Sequence, residues 1–103
     1  MEISGSDPNK IPSYKTDFNQ SVDLFQKSFD GYQKASFDAQ KEQYVKVMKE
    51  SLQVMQDAAG AMLNKHLADL KSELSDDLSK YLDSPTASNK EKILEDIDHL
   101  KHD

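Results

Sequence analysis

Apolar residues recur at every third or fourth position from Met48 to Tyr81, through the middle of the chain. This spacing places side chains on one face of an α-helix. The stretch contains no proline and one glycine, Gly60, whose alanine neighbours favour helix. The pattern therefore predicts one long helix over about residues 40–82, and a turn at Ala58–Ala61 is the alternative interpretation.

An aromatic-rich stripe near the N-terminus predicts a second helix. Its members recur with an average step of about 3.6 residues, the helical period: Tyr14, Phe18, Val22, Phe25, Phe29 and Tyr32. Ser13, Thr16 and Asp17 are suitable N-cap residues, so we expect this helix to span about residues 14–36. The stripe loses its register within residues 34–42, which predicts a loop there. One helix that continues through this region is the alternative.

A proline marks the boundary of a third helix. Pro85 disfavours helix at the residue before it, and Ser88 followed three residues later by Glu91 forms a capping box. We therefore expect a short C-terminal helix over about residues 89–101. Its predicted apolar face carries Ile93, Leu94, Ile97 and Leu100.

These elements predict an all-α fold with a single helical domain at residues 13–103, preceded by a flexible tail at residues 1–12. The expected architecture is an antiparallel helical hairpin or three-helix arrangement with one long central helix. The N-terminal helix covers the first half of this central helix, and the C-terminal helix covers the second half. The predicted core consists of Phe18, Val22, Phe25, Phe29, Met48, Leu52, Met55, Leu63, Leu67, Leu70, Leu74, Leu78, Ile93 and Ile97.

A second stripe, about 100° around the central helix from the first, carries mostly small side chains. Such a face allows another helix to approach closely, so it is the predicted partner or oligomer interface. The alternative is that these residues form the edge of the intramolecular core. The predicted interface residues are Val47, Ser51, Val54, Ala58, Ala61 and Ala68.

The chain is acidic, with a formal net charge of −6. This charge opposes binding to phosphate backbones and to anionic membranes, so we expect neither nucleic acid nor membrane as a partner. The N-terminus shows no signal-peptide pattern, and no apolar stretch reaches the roughly 20 residues that a membrane span needs. We therefore expect a cytoplasmic protein, with export by a signal-peptide-independent route left open. The chain has no cysteine, which excludes disulfides and thiolate chemistry.

Candidate chemistry is sparse. His99 and His102 have a spacing at which two imidazoles can share a metal ion, but no third ligand has a fixed position. The sequence has no glycine-rich phosphate loop, no convincing Ser–His–Asp order and no isolated pair of buried carboxylates. We therefore expect no enzyme activity, no cofactor and no metal. The acidic residues near the C-terminus should be solvated surface, or alternatively steer a basic partner: Asp76, Asp77, Glu95, Asp96 and Asp98.

Two functions fit these observations. The first is a non-catalytic protein–protein interaction module, a small acidic helical adaptor or chaperone-like protein. It would dock a helix of another protein, because a thin core is often completed by a partner. The second is a structural subunit that self-associates, as a homodimer or a larger assembly, through the small-residue face.

The length and the helical-hairpin pattern resemble those of small subunits and co-chaperones of bacterial specialised secretion systems. The proline-bearing loop at residues 83–87 is loosely similar to the hairpin turn of secretion needle subunits. The chain has no tryptophan, so it lacks the Trp-X-Gly turn of one such group. The resemblance implies a secretion setting for the self-associating subunit.

Overall fold

The computed structural model describes residues 11–102, and within them it contains four α-helices and no strand. The helices are α1 (Ile11–Lys34), α2 (Asp38–Ala61), α3 (Lys65–Asp83) and α4 (Ala87–His102). The prediction of an all-α fold is therefore confirmed. Of the predicted tail, residues 1–10 lie outside the described residues, as does Asp103 at the other end of the chain.

The N-terminal helix begins earlier than expected, because Ile11 and Pro12 already belong to α1. Proline is tolerated in a first helical turn, where its missing N–H would have no helical acceptor and its φ angle suits the helix. At the other end, the Ala35 amide donates to the Gly31 carbonyl oxygen at 2.9 Å, and a short loop leads to α2. The predicted break within residues 34–42 thus falls at residues 35–37.

The prediction of one long central helix is wrong, because the chain turns at Met62–Asn64. The Asn64 amide donates to the Ala59 carbonyl and the Leu63 amide to the Gly60 carbonyl, both at 3.0 Å. This pair of bonds is the Schellman arrangement that closes a helix C-terminus. Leu63 takes the left-handed position, with φ of 55°, which glycine usually occupies. Because no glycine occupies that position, residues 62–64 contain no strong signal for the end of a helix.

Asn64 also starts the next helix. Its side-chain Oδ1 accepts a hydrogen bond from the Leu67 amide at 3.1 Å, which is an N-cap interaction. The last helix is capped similarly, since the Asn89 amide donates to Thr86 Oγ1 at 3.2 Å. The cap of α4 is therefore Thr86 rather than the predicted Ser88, and α4 begins two residues before the expected start at residue 89.

The turn sends α3 back along α2. The Tyr81 ring lies 5.2 Å from the Phe29 ring and 6.1 Å from the Tyr32 ring, measured between centroids. In one straight helix, Met48 and Tyr81 would be about 50 Å apart, so α1 could not pack along the start of that helix and also reach Tyr81. The helix backbones instead lie side by side in the order α1, α2, α3, α4 and back to α1, and the Tyr81 ring reaches α1 from α3. The predicted three-helix arrangement is replaced by four antiparallel helices around one core.

The core is one cluster to which all four helices contribute. Leu63, a predicted core residue, is 78 % exposed, because its place in the turn points it away from the bundle. Leu70 is half-buried and packs against the core. The buried apolar residues are Phe18, Val22, Phe25, Phe29, Met48, Leu52, Met55, Ala58, Ala59, Leu67, Leu74, Leu78, Tyr81, Ile93, Ile97 and Leu100.

Replacing Leu63 with glycine should stabilise the protein by about 0.5–1 kcal/mol. The left-handed conformation costs a non-glycine residue roughly 1–2 kcal/mol, and part of that gain is offset by the greater freedom of glycine in the unfolded chain. Urea unfolding measures the difference. Leu63→Ala is the matched control, since it removes the same exposed side chain without relieving the backbone, and it should not stabilise. Equal stabilities of the two variants would contradict this account of the turn.

Replacing Gly31 with alanine should destabilise the contact between α1 and α2. A Cβ atom at Gly31 would lie 2.5 Å from Cε1 of Tyr44, so the half-buried tyrosine ring would have to move away. We expect a loss of about 1–2 kcal/mol, typical of overpacking. Gly60→Ala is the control, because nothing lies within 4 Å of a Cβ there, and it should gain roughly 0.5–1 kcal/mol of helix propensity. Thermal unfolding of both variants checks the opposite signs.

Candidate functional site

A groove of about 640 Å³ runs between α1 and α4, which lie side by side although no loop joins them directly. Leu94 provides its exposed apolar surface, and the buried core residue Phe29 borders it. The α1 residues of the groove share one helix face because they are spaced by three or four positions. Lys90, Leu94 and Lys101 share one face of α4, because their spacings of four and seven residues also match helical turns. The polar and charged residues of the groove are Asp23, Gln26, Lys27, Asp30, Gln33, Lys90 and Lys101.

The charges of this groove are unevenly matched. Asp23 lies 3.8 Å from Lys101, and Asp30 lies 3.0 Å from Lys34. Lys27 and Lys90 form no ion pair with any residue between 11 and 102. The Asp23–Lys101 and Asp30–Lys34 pairs are both solvent-exposed and contribute little to stability. Their effect is on recognition, because the groove carboxylates have cationic partners while two groove lysines do not.

The side chain of Leu94 is large, apolar and partly exposed in the groove. It is 42 % exposed, although it lies on a helix whose neighbouring apolar residues Ile93 and Ile97 are buried. Leu24 on α1 has nearly the same exposure, 46 %, but is not a groove residue. A single exposed leucine is ordinary on a protein surface. Leu94 differs from Leu24 because it lies in a concavity beside the aromatic residue Phe29 and two lysines, Lys27 and Lys90, without an ion-pair partner among residues 11–102.

A second polar feature lies between α3 and α4, where Asp96 meets Asp77. Asp96 is only 8 % exposed, and its Oδ2 atom has no hydrogen-bond partner among the described residues. Burial first, and then the hydrogen bond to Asp77 and the charges of Asp77, Glu73 and Glu95, raise the pKa of the Asp96 carboxyl from 3.8 to about 8. The expectation that this acidic run is solvated surface is therefore wrong for Asp96.

The burial of Asp96 had a signal in the sequence. Asp96 follows Ile93 by three residues and precedes Leu100 by four, so it belongs to the same helix face as two buried apolar residues. Its place in an acidic run suggests a solvated residue, whereas this periodicity indicates burial. Asp77 is half-buried on α3 and supplies the second carboxyl of the pair.

The predicted small-residue interface is not one exposed face. Ser51 and Ala58 are buried inside the molecule, and the Ser51 hydroxyl donates to the Met48 carbonyl oxygen at 2.7 Å. Val47 and Ala61 are half-buried, while Val54 is exposed. Ala68 lies beyond the turn, on α3 rather than α2. The six residues would share a face only on an uninterrupted helix, so the turn divides them.

The histidines of α4 are both exposed. His102 Nε2 lies 3.1 Å from Asp98 Oδ1, one helical turn earlier, and His99 is not part of this contact. Within residues 11–102 no three His, Cys, Asp or Glu side chains are grouped so that they could hold a metal ion. None of the helices in this range is long and apolar enough to cross a membrane.

No protein-family model matches the chain, and no match was found among curated proteins or solved structures. The features of the described residues that bear on function are the groove between α1 and α4 and the carboxyl pair between α3 and α4.

Proposed function

We propose that the protein is a non-catalytic protein–protein interaction module that docks an amphipathic helix of a partner in the groove between α1 and α4. The observation that carries this proposal is the combination of half-exposed Leu94 with two unmatched lysines, Lys27 and Lys90, in one concavity. Helix-in-groove recognition uses such a surface, since apolar anchors supply binding energy and flanking charges set the orientation.

The charges of the groove favour a partner helix with acidic flanks. Asp23 and Asp30 already lie beside lysines, so a basic helix would have to displace those lysines or remain unpaired. Acidic side chains could pair with Lys27 and Lys90 without breaking an existing contact. The chain as a whole is negative, but at about 0.1 M salt charges more than roughly 10 Å away are largely screened. Local charge complementarity therefore decides the preference.

The contact between α1 and α4 differs from the other contacts between neighbouring helices, because no loop connects the two helices directly. The pairs α1–α2, α2–α3 and α3–α4 are each joined by a three-residue loop, which keeps them close. The α1–α4 pair has no such connection and is bridged at its surface by the exposed Lys101–Asp23 contact. A partner helix that binds there would cover Leu94 and the edge of the core at Phe29.

Two designed helical peptides of about five turns test this proposal. Both carry the same leucine stripe, one flanked by glutamate and the other by lysine. We expect the glutamate peptide to bind more tightly in fluorescence anisotropy, and its amide shift changes in NMR spectra of the protein to fall on α1 and α4. Reversing charge with Lys27→Glu and Lys90→Glu together should shift the preference to the lysine peptide.

Leu94→Glu should weaken binding of the glutamate peptide by about tenfold or more, as for loss of an apolar anchor. Leu24→Glu is the matched control, since it changes an equally exposed leucine outside the groove, and it should leave the affinity unchanged. Equal affinities for the two peptides, or equal losses in the two leucine variants, would overturn the proposal.

A further inference from the structure

We propose that the Asp77–Asp96 contact is a proton-operated clasp between α3 and α4, in which one shared proton joins the two carboxyl groups and its loss drives them apart. This inference is independent of the groove between α1 and α4. It assigns to the acidic residues of the last two helices a role in pH-dependent stability.

The position of Asp96 in the core disfavours its ionised form. Asp96 lies on the face of α4 that contains Ile93 and Leu100, and all three side chains are buried. Its Oδ2 atom is out of contact with solvent and receives no hydrogen bond from any described residue. An ionised carboxylate in such a place would be poorly solvated. A protonated carboxyl group needs far less solvation, and its O–H can donate to Asp77.

The charged groups around Asp96 also disfavour its ionised form. From α3, the groups that act on Asp96 are Glu73 and Asp77, and from its own helix Glu95; all are acidic. The nearest basic residues along α4, Lys92 and His99, are exposed to solvent. Neither of them is among the groups that shift the pKa of Asp96.

The charged residues that α1 directs toward α4 lie in the groove, on another side of α4. They are Asp23, Lys27 and Asp30, and Asp23 lies beside Lys101. No cation from a packed helix therefore compensates a negative charge on Asp96. A shared proton is the remaining way to join two adjacent carboxyl groups, because two ionised carboxylates cannot hydrogen-bond to each other.

The direction of the pKa change agrees with this geometry and gives the sign of the pH dependence. In the folded protein the pKa of Asp96 is raised to about 8, whereas its ordinary value is 3.8. The folded state therefore keeps a proton that the unfolded chain releases. Stability from this pair is complete below the ordinary value and is lost as pH rises toward 8. The usual salt-bridged aspartate shows the opposite trend, since it loses stability as pH falls.

The test compares pH-dependent unfolding of the wild-type chain with Asp96→Asn. The asparagine amide keeps the shape of the side chain and can donate to Asp77 at every pH. The folding equilibrium constant of the wild type should fall between pH 5 and 8, by up to about tenfold per pH unit. Asp96→Asn should lack this fall, so the variant should match the wild type near pH 4 and exceed its melting temperature at pH 8.

Asp76→Asn is the matched control, because it removes one negative charge from the exposed residue beside Asp77. It should retain the wild-type pH profile. Parallel profiles for wild type and Asp96→Asn, or the same change in Asp76→Asn, would overturn the clasp and leave only a general effect of net charge.

Two measurements on the wild-type protein do not depend on a variant folding. Infrared spectroscopy at pH 6 should show the carbonyl band of a protonated carboxylic acid, and this band should disappear as the pH rises past 8. Hydrogen exchange, corrected for the intrinsic pH effect, should show the amides of α4 losing protection over the same range, relative to those of α2. Absence of the band at pH 6 would refute the shared proton.

Discussion

The reversal of the chain at Met62–Asn64 is the constraint on which the rest of the structure depends. Two backbone hydrogen bonds close α2, and the side chain of Asn64 opens α3 within the same three residues. The reversal places Tyr81 against Phe29 and Tyr32. Without it, α3 and α4 would extend beyond the end of α1 and could not join its core. The conformational strain at Leu63 is a local cost that burial of the α3 stripe offsets.

The same reversal creates the two polar features of the molecule. Because α3 folds back on α2, α4 returns beside α1, and their unconnected edges leave the groove that contains Phe29 and Leu94. The chain also places α4 against the acidic face of α3, where Asp96 is buried next to Asp77. The contact of α4 with α1 thus contains two lysines without an acidic partner among residues 11–102, and its contact with α3 contains carboxyl groups without a basic partner there. An elongated three-helix arrangement would not bring α4 to α1 at all.

These two seams connect stability with binding in different ways. The α1–α4 groove has exposed charge pairs and a partly exposed leucine, so its contacts can be exchanged for those of a partner at small cost. The α3–α4 seam includes the buried side chain of Asp96, so its state affects the fold itself. The proposed binding site and the proposed proton-dependent contact can therefore be altered independently, since they occupy different sides of one helix.

Periodicity and proline act locally, so the pattern of amino acids alone specifies the helical class, the apolar stripe of each helix and the loops near Lys34 and Pro85. It did not determine the turn after Ala61. A leucine at the left-handed position gives no local stop signal, and the apolar period continues through it. Only tertiary packing decided that turn, since burying the α3 stripe against the first two helices outweighs helix continuity. The groove and the buried Asp96 followed from packing too, because each requires residues distant in sequence to meet.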